Sequence, residues 1–489
     1  MQFEFKNLGT IKEAQLEMGN LTVICGKNNT GKTYLTYGVW GVIASITLES
    51  SSDFIQDMSL YDIEKIKGAI KESKRYSFTI DKNSLEHIGK KYMNIIQNNM
   101  KSVFASNDSL FENSYANFNN EVKEYQHTLN FDNKIYSKSS FDDKYETVIS
   151  QEGLTIHIDY STDLKFKINA ASDFFMEQGE ITKEEISFRE MLVNRAIDIL
   201  ITGFALRRPN FPTFLLPAQR DSIELFYKEL DKNRSHLLEK LRTTRDLSLL
   251  DKESSRFPQP IEKLIDFARD LTRQVIKTES FLAKEHPELL KEIENLLGVT
   301  YEVSGDEVLI KDNKDKNSTQ KIPAYMASTS VRSLMHLHFW LKHKAQKGDL
   351  LMIDEPELNL HPENQIKMAR LFAKLVNAGI KVWITTHSDY IIKELNNCLM
   401  FSQEIENKKE LLEELGYKEN EILKRDDIRA YIARYDEKLE GCTVDKVEFD
   451  EYGMVMTTFD EQIDKINAIT ESLADAIVES KTNKQTIAE

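Results

Sequence analysis

The 489-residue sequence predicts an α/β fold in which a mixed sheet carries a phosphate-binding loop, with a mainly helical insertion lobe. Three observations predict it. The apolar run "LTVIC" (21–25) leads into Gly26, Gly31, Lys32 and Thr33 at Gly-x-x-x-x-Gly-Lys-Thr spacing, and "YGVWGVIASITL" comes next as a buried helix. Two further apolar runs, Leu350 to Ile353 and Val382 to Thr385, lie about a helix plus a turn apart, as a parallel βαβ unit requires. Between them and the loop lies a long stretch of different texture.

In chain order, "QFEFKNL" and "IKEAQLEM" read as short strands before the loop strand. The loop needs Gly26 and Gly31 because the backbone must turn sharply and approach an anion closely. The amides of Gly26, Lys27, Asn28, Asn29, Thr30, Gly31, Lys32 and Thr33 can then face a phosphate, helped by the positive end of the next helix. Lys32 reaches the outer phosphates, and the Thr33 hydroxyl suits magnesium, a hard cation. With glycine at only 18 of 489 positions, chance yields this spacing in roughly one per cent of such chains.

Residues 51–200 read as an α/β insertion. "NSYANFNNEVKEYQHTL" (113–129) looks polar and helical; "GLTIHIDY" and "DLKFKINA" alternate as strands do; a helix is expected over 186–208. In the 200–225 region "PTFLLPAQRDSIELF" gives a short strand ending near Pro217, Gln219 and Arg220. Residues 226–324 form a helical and β lobe, with β-like runs in "TYEVSGDEVLIKD" and "TQKIPAYM". The core, begun at 1–50, resumes over 325–400. Residues 401–489 read as charged helices, a hairpin in "DKVEFDEYGMVMTTF", and an amphipathic helix with Ile463, Ile466, Ile469, Leu473 and Ile477 on one face, a stripe suited to core or interface.

The composition is that of a soluble globular protein: 40% hydrophobic, 29% charged, net charge −16. That balance argues against a general nucleic-acid coat, without excluding a local basic groove. Cys25, Cys398 and Cys442 have no metal-ligand spacing and read as buried, reduced thiols. The opening "MQFEFKNLGT" has no secretory pattern and no apolar run is long enough to cross a bilayer, so a cytoplasmic protein away from membranes is expected.

Hydrolysis requires more than a phosphate loop. In "GDLLMIDEPELNLHPEN" a doubly buried strand ends at Asp354, suited to hold magnesium or its waters, and at Glu355, suited to orient the attacking water. His387 comes just after the strand in "KVWITTHSDYII", at the sheet edge where ligands gather, a position for a γ-phosphate contact. In "YMASTSVRSLMHLHFWLKHKAQ" the small residues Ala327 to Ser330 open a helix. Its serines can cap that helix or present hydroxyls and amides to an anion. His336 and His338, two apart, make a poor metal pair.

The order of these motifs resembles that of ABC-type ATPases within the wider AAA family: phosphate loop, long insertion, signature helix, acidic strand, switch histidine. "GKNNTGKT", "LLMIDEPELNLHP" and "ITTHSDYII" are similar to the SMC/Rad50-like branch that includes the ATPase halves of overcoming-lysogenization nucleases and bacterial anti-phage systems, and "LPAQR" resembles its glutamine loop, at Gln219. The resemblance implies an ABC-type P-loop NTPase head, ATP and Mg2+ as cofactors, and a homodimer or higher homo-oligomer. ATP would lie between the phosphate loop of one copy and Ser328 and Ser330 of another. Family signatures carry glycine where this chain has Ser330, which implies slow or regulated turnover.

No acidic D-x-D cluster comes after the histidine, no His-Asn-His nuclease pattern is seen, and the arms are short for a chromosome-tethering protein. The chain therefore looks like the ATPase subunit of a two-component anti-phage system, of the PtuA type of Septu and retron systems or the AriA type of PARIS. There the resemblance implies a scaffold or sensor controlling a separate nuclease or toxin. Three alternatives stand beside it: a DNA-binding ATPase of repair or recombination, a transporter motor disfavoured by the long insertion, and an ATP-locked scaffold that barely hydrolyses.

Overall fold

The computed structural model describes residues 1–48, 76–81, 100–106, 111, 114–119, 145–150, 153–158, 212–227, 257–313, 320–456, 465–474 and 476–477. The strand expected over 163–170 and the helix expected over 186–208 lie outside them. In chain order the strands are β1 (Gln2–Leu8), β2 (Ile11–Glu17), β3 (Leu21–Gly26), β4 (Tyr76–Asp81), β5 (Tyr115–Asn119), β6 (Tyr145–Ser150), β7 (Gly153–Ile158), β8 (Thr213–Leu216), β9 (Val299–Ser304), β10 (Glu307–Asp312), β11 (Lys321–Pro323), β12 (Leu350–Asp354), β13 (Lys381–Thr386), β14 (Ile428–Asp436), β15 (Gly441–Lys446), β16 (Phe449–Asp450) and β17 (Gly453–Met454). The α-helices are α1 (Lys32–Leu48), α2 (Gln259–Leu271), α3 (Phe281–Glu285), α4 (Pro287–Leu297), α5 (Thr329–His343), α6 (Pro362–Asn377), α7 (Asp389–Met400) and α8 (Lys408–Leu415).

The chain divides into two compact units. The smaller comprises Met1–Gln2, Gly41–Asn99 and Ala116–Asn210; the larger comprises Phe3–Trp40, Met100–Tyr115 and Phe211–Glu489. In the smaller unit β4, β7 and β6 form an antiparallel sheet in that order. β7 lies where "GLTIHIDY" alternates, as the pattern demands.

The fold class is mixed α/β. In the larger unit eight strands form one sheet, in the order β1-β2-β15-β14-β3-β13-β12-β8. From β8 through β12, β13 and β3 to β14, neighbouring strands pair in parallel. β3 and β12 are buried along their whole length, so each reads as an unbroken apolar run and not as an alternation. Helices α5, α6 and α7 bury leucines, isoleucines and Phe372 in one continuous core with these strands. Behind α5, the meander β9-β10-β11 makes a second core with Val331, Met335 and Phe339.

Two expectations are corrected. Tyr115–Asn119 is a strand where "NSYANFNN" suggests a polar helix; its apolar Ala116 and Phe118 are two apart in sequence, and Ala116 is buried. Residues 428–446, expected within a helical C-terminal region, are β14 and β15, inserted into the middle of the main sheet. β14 buries Ile428, Ala430, Tyr431 and Ala433; its arginines give it the look of a solvated face. The expected hairpin is present as β16–β17, and the three cysteines are buried and free. In the helical residues 465–474 and 476–477 the stripe Ile466, Ile469, Leu473 and Ile477 is exposed, hence not core; Ile463 lies outside the described residues. No described helix is long and apolar enough to cross a membrane.

Candidate functional site

In a parallel sheet all strands end at one edge, and that edge collects ligands. The register here aligns Gly26 with Ala433 of β14, Cys25 with Thr386, Ile24 with Thr385, and Thr385 with Asp354. The phosphate loop, the acidic strand end and the histidine turn are thus brought to one place by strand pairing alone.

The loop geometry explains its glycines. Gly26 has φ +149°, and a Cβ there would meet the Ala433 carbonyl oxygen at 2.3 Å. Gly31 has φ +85°, and a Cβ would meet Ile11 Cδ1 at 2.4 Å. Neither position admits a side chain. Lys27, Asn28 and Asn29 are exposed at the tip, while Thr30, Gly31 and Lys32 are buried. Lys32 Nζ donates to the carbonyls of Gly26 and Lys27, both at 2.9 Å, and Thr30 Oγ1 donates to the Lys27 carbonyl at 2.8 Å. Cys442 of β15 approaches the Asn29 carbonyl at 3.7 Å. The C-terminal strands therefore buttress the loop, a support that no local signal near residue 26 announces.

Thr33 Oγ1 donates to Asp354 Oδ2 at 2.8 Å, across 321 residues of sequence. Thr385 Oγ1 donates to the other carboxylate oxygen of Asp354. Burial pushes the Asp354 carboxyl up, while the two hydroxyls oppose that shift. A threonine hydroxyl beside a carboxylate is a pair of hard oxygen donors, and it fits a magnesium ion that keeps most of its waters.

Glu355 comes next with φ +52°, a left-handed backbone unusual for a side chain of its size. Its amide donates to the Thr385 carbonyl and hydroxyl oxygens, both at 3.1 Å. Its carbonyl accepts from Arg220 Nη2 at 2.9 Å. His387 Nδ1 lies 3.7 Å from Glu355 Oε1 and 3.3 Å from Glu357 Oε1. The same Glu357 oxygen accepts from Thr386 Oγ1 at 2.8 Å and from the His387 amide at 2.7 Å. Glu357 is buried, and burial pushes its carboxyl up against those hydrogen bonds. His387 is thus held by a carboxylate beneath it, with its ring half-open to solvent.

Gln219 is exposed in the turn after β8, and its neighbour Arg220, not Gln219, makes hydrogen bonds to the acidic strand end. Ser328 sits just before α5 and Ser330 in its first turn, their hydroxyls 3.1 Å apart. Among the described residues no hydrogen bond joins either serine to the phosphate loop. His336 and His338 are buried without a hydrogen-bond partner for either ring. Burial pushes them down to about 4 and about 3, so both are neutral core residues.

The sequence alone does not single out Arg220, Glu357 or Thr385. A hydroxyl beside the histidine in "ITTH" and a second acid in "DEPE" are weak signals. A buried arginine carries none, because charged residues are ordinarily read as surface.

No curated protein shows significant similarity to the chain. Among solved structures, an Smc head bound to the C-winged-helix domain of ScpA has 9% identity, covering 91% of this chain and 97% of that one, at a TM-score of 0.33. A Pyrococcus furiosus Smc head with extended coiled coil, bound to the C-terminal domain of ScpA, has 10% identity, covering 96% and 98%, at 0.30. The SMC head domain from Thermotoga maritima has 9% identity, covering 91% and 98%, at 0.30. At these scores the likeness assigns no residue a role. Residues 1–392 match the family described as AAA_15, AAA ATPase domain, which is well over half of the sequence, and the chain belongs to that family.

Proposed function

We propose that the protein binds ATP with magnesium at the loop edge of its main sheet and hydrolyses it slowly. The observation that carries this reading is the 2.8 Å contact between Thr33 and Asp354. Two segments far apart in sequence supply the paired oxygens that a triphosphate-bound magnesium needs, beside a loop that admits only glycine at its two turns. Magnesium, held by Thr33 and Asp354, would supply charge neutralisation on the phosphates. Gly26 to Thr33 wrap the phosphates with main-chain amides. Lys32 exchanges its two carbonyl partners for phosphate oxygens. Glu355 orients and deprotonates the attacking water. His387, steadied by Glu357, contacts the γ-phosphate.

The finer reading rests on the resemblance in motif order. Two copies close on ATP, with Ser328 and Ser330 of one copy completing the site of the other. The assembly then holds and releases a separate nuclease or toxin subunit in anti-phage defence. Ser328 and Ser330 stand at an exposed helix start beside the exposed Tyr325 and Met326, a setting suited to a second copy. DNA clamping in repair is the alternative, and a salt-dependent affinity for DNA would be its signature.

Titration calorimetry with ATP and magnesium, together with light scattering of Glu355→Gln, tests the reading. Wild-type protein is expected to bind and Lys32→Ala to lose about tenfold or more in affinity, the scale of a charge-assisted phosphate contact. Glu355→Gln is expected to bind ATP, to lose about a hundredfold or more in turnover, and to gain mass when ATP is added. Absence of nucleotide uptake by wild-type protein would overturn the proposal.

A further inference from the structure

Arg220 is one of the largest side chains enclosed by the larger unit, and only 1% of it is exposed. Its guanidinium fork is spent on carbonyls. Nη1 donates to Pro217 at 3.1 Å and to Asp354 at 2.8 Å, and Nη2 donates to Glu355 at 2.9 Å. Nε has no hydrogen-bond partner. No carboxylate accepts a hydrogen bond from it among the described residues, although Asp354, Glu357, Asp221 and Glu355 surround it with negative charge.

Joining β8 to β12 does not require such a residue. The two strands already pair from Leu350 with Thr213 to Ile353 with Leu216. An apolar side chain filling the same space would avoid burying a charge. What only a planar fork supplies is a fixed spacing between two consecutive carbonyls. Those two carbonyls belong to the metal-holding acid and to Glu355, whose backbone is left-handed. A backbone of that kind persists only where its surroundings over-determine it. Thr385 holds the amide side of Glu355 and Arg220 holds the carbonyl side.

We propose that Arg220 is a positioning residue for Glu355: it fixes the left-handed turn that aims the carboxylate, and it ties that turn to the Gln219 loop. This rests on the reading of Glu355 as the group that orients water. Gln219 is exposed and adjacent in the chain, so the loop after β8 is joined to Glu355 through one rigid guanidinium. The arrangement makes the loop after β8 a regulator of turnover more than a contributor to affinity.

The test is a double-mutant cycle in steady-state ATP hydrolysis by the full chain, with nucleotide affinity and thermal unfolding measured alongside. Lysine keeps the charge but offers its donors from one freely rotating nitrogen, without the fixed spacing of the planar fork, so Arg220→Lys is expected to lower kcat about tenfold to a hundredfold with KM changed less than threefold. Arg220→Met, which keeps bulk and removes the donors, is expected to do the same. In a Glu355→Gln background, adding Arg220→Lys is expected to cost less than a further twofold, because the group being aimed has already been disabled. Wild-type kcat in both variants would overturn the proposal, as would a full multiplicative loss in the double variant. So would failure of both to give folded, nucleotide-binding protein, which would make Arg220 a folding residue. A wild-type rate in Glu355→Gln alone would instead remove the reading of Glu355.

Discussion

The loop edge of the main sheet and the start of α5 both carry residues suited to a phosphate, yet the fold treats them differently. At the sheet edge nearly every polar group has a buried partner in the same chain. Asp354 has Thr33 and Thr385, Lys32 has two carbonyls, and His387 has Glu357. At the start of α5, Ser328 is exposed, Ser330 half-buried, and their hydroxyls face each other. The helix behind them is the opposite: from Ser333 to Leu341 every residue is buried. The first region is organised before any ligand arrives, and preorganised dipoles are what makes a site effective. The second is a rigid rod with a bare tip. In the proposed function that is the form needed by a part that must act on another molecule.

The rigidity of that rod gives the largest expected effect. His336 and His338 are neutral when folded, with pKa values near 4 and 3, against an ordinary value near 6.5. Their folded values are depressed, so the stability they contribute is complete above pH ~6.5 and is lost as pH falls toward their folded values. Each costs about 1.4 kcal/mol per pH unit within that window, so the pair removes about 4 kcal/mol between pH 6.5 and 5. Buried Asp349, pushed up to about 6, works in the opposite direction. A comparison with His336→Leu/His338→Phe cancels that contribution. Denaturant unfolding of wild-type protein is expected to show the steeper acid loss. Equal slopes would mean that α5 breathes enough to admit water, and the contrast with the sheet edge would weaken.

Much of the sheet edge was legible in the sequence because its strands are buried on both faces. Leu350 to Ile353 and Val382 to Thr385 stand out as short apolar runs ending in polar residues, and the register then leaves little freedom for the turns beyond them. β14 was not legible. It too borders β3, but its alternation places Arg429 and Arg434 among charged neighbours, and a charged alternating stretch reads equally well as a helix face. Arg220 and Glu357 were illegible for a different reason. Their burial is decided by segments distant in sequence, and no local periodicity encodes a cation under a carbonyl pair or an acid under a histidine. Thr33 and Asp354 were legible separately. Their contact emerges only when both are placed at one edge.

The second effect probes whether the sheet edge is as preorganised as its contacts suggest. Glu357 holds His387 through the main-chain amide and faces its ring at 3.3 Å. Glu357→Gln keeps an acceptor for the amide but removes the charge facing the imidazole. Turnover is expected to fall about tenfold, equivalent to about 1.4 kcal/mol of transition-state stabilisation, with nucleotide affinity within threefold. Steady-state rates beside equilibrium binding check it. A loss of affinity equal to the loss of rate would assign Glu357 to ground-state binding. An unchanged rate would show that the hydrogen bond at the amide alone positions the histidine.

The smallest expected effect lies at the bare tip. Ser330 stands half-buried in the first turn of α5, where the resembling signatures carry glycine. In the proposed function a hydroxymethyl group there would add contact to a second copy and slow its release. Ser330→Gly therefore trades contact for faster cycling, with turnover expected to rise about two- to fivefold, equivalent to about 0.4–1 kcal/mol. Glycine in a helix costs up to about 1 kcal/mol, so a slightly lower unfolding midpoint should accompany the faster rate. Phosphate release measured over a range of protein concentrations separates the two contributions. A rate gain that vanishes at high dilution belongs to the encounter of two copies. A gain at every concentration belongs to the single chain, and the start of α5 would then join the sheet edge as a part that acts within its own molecule.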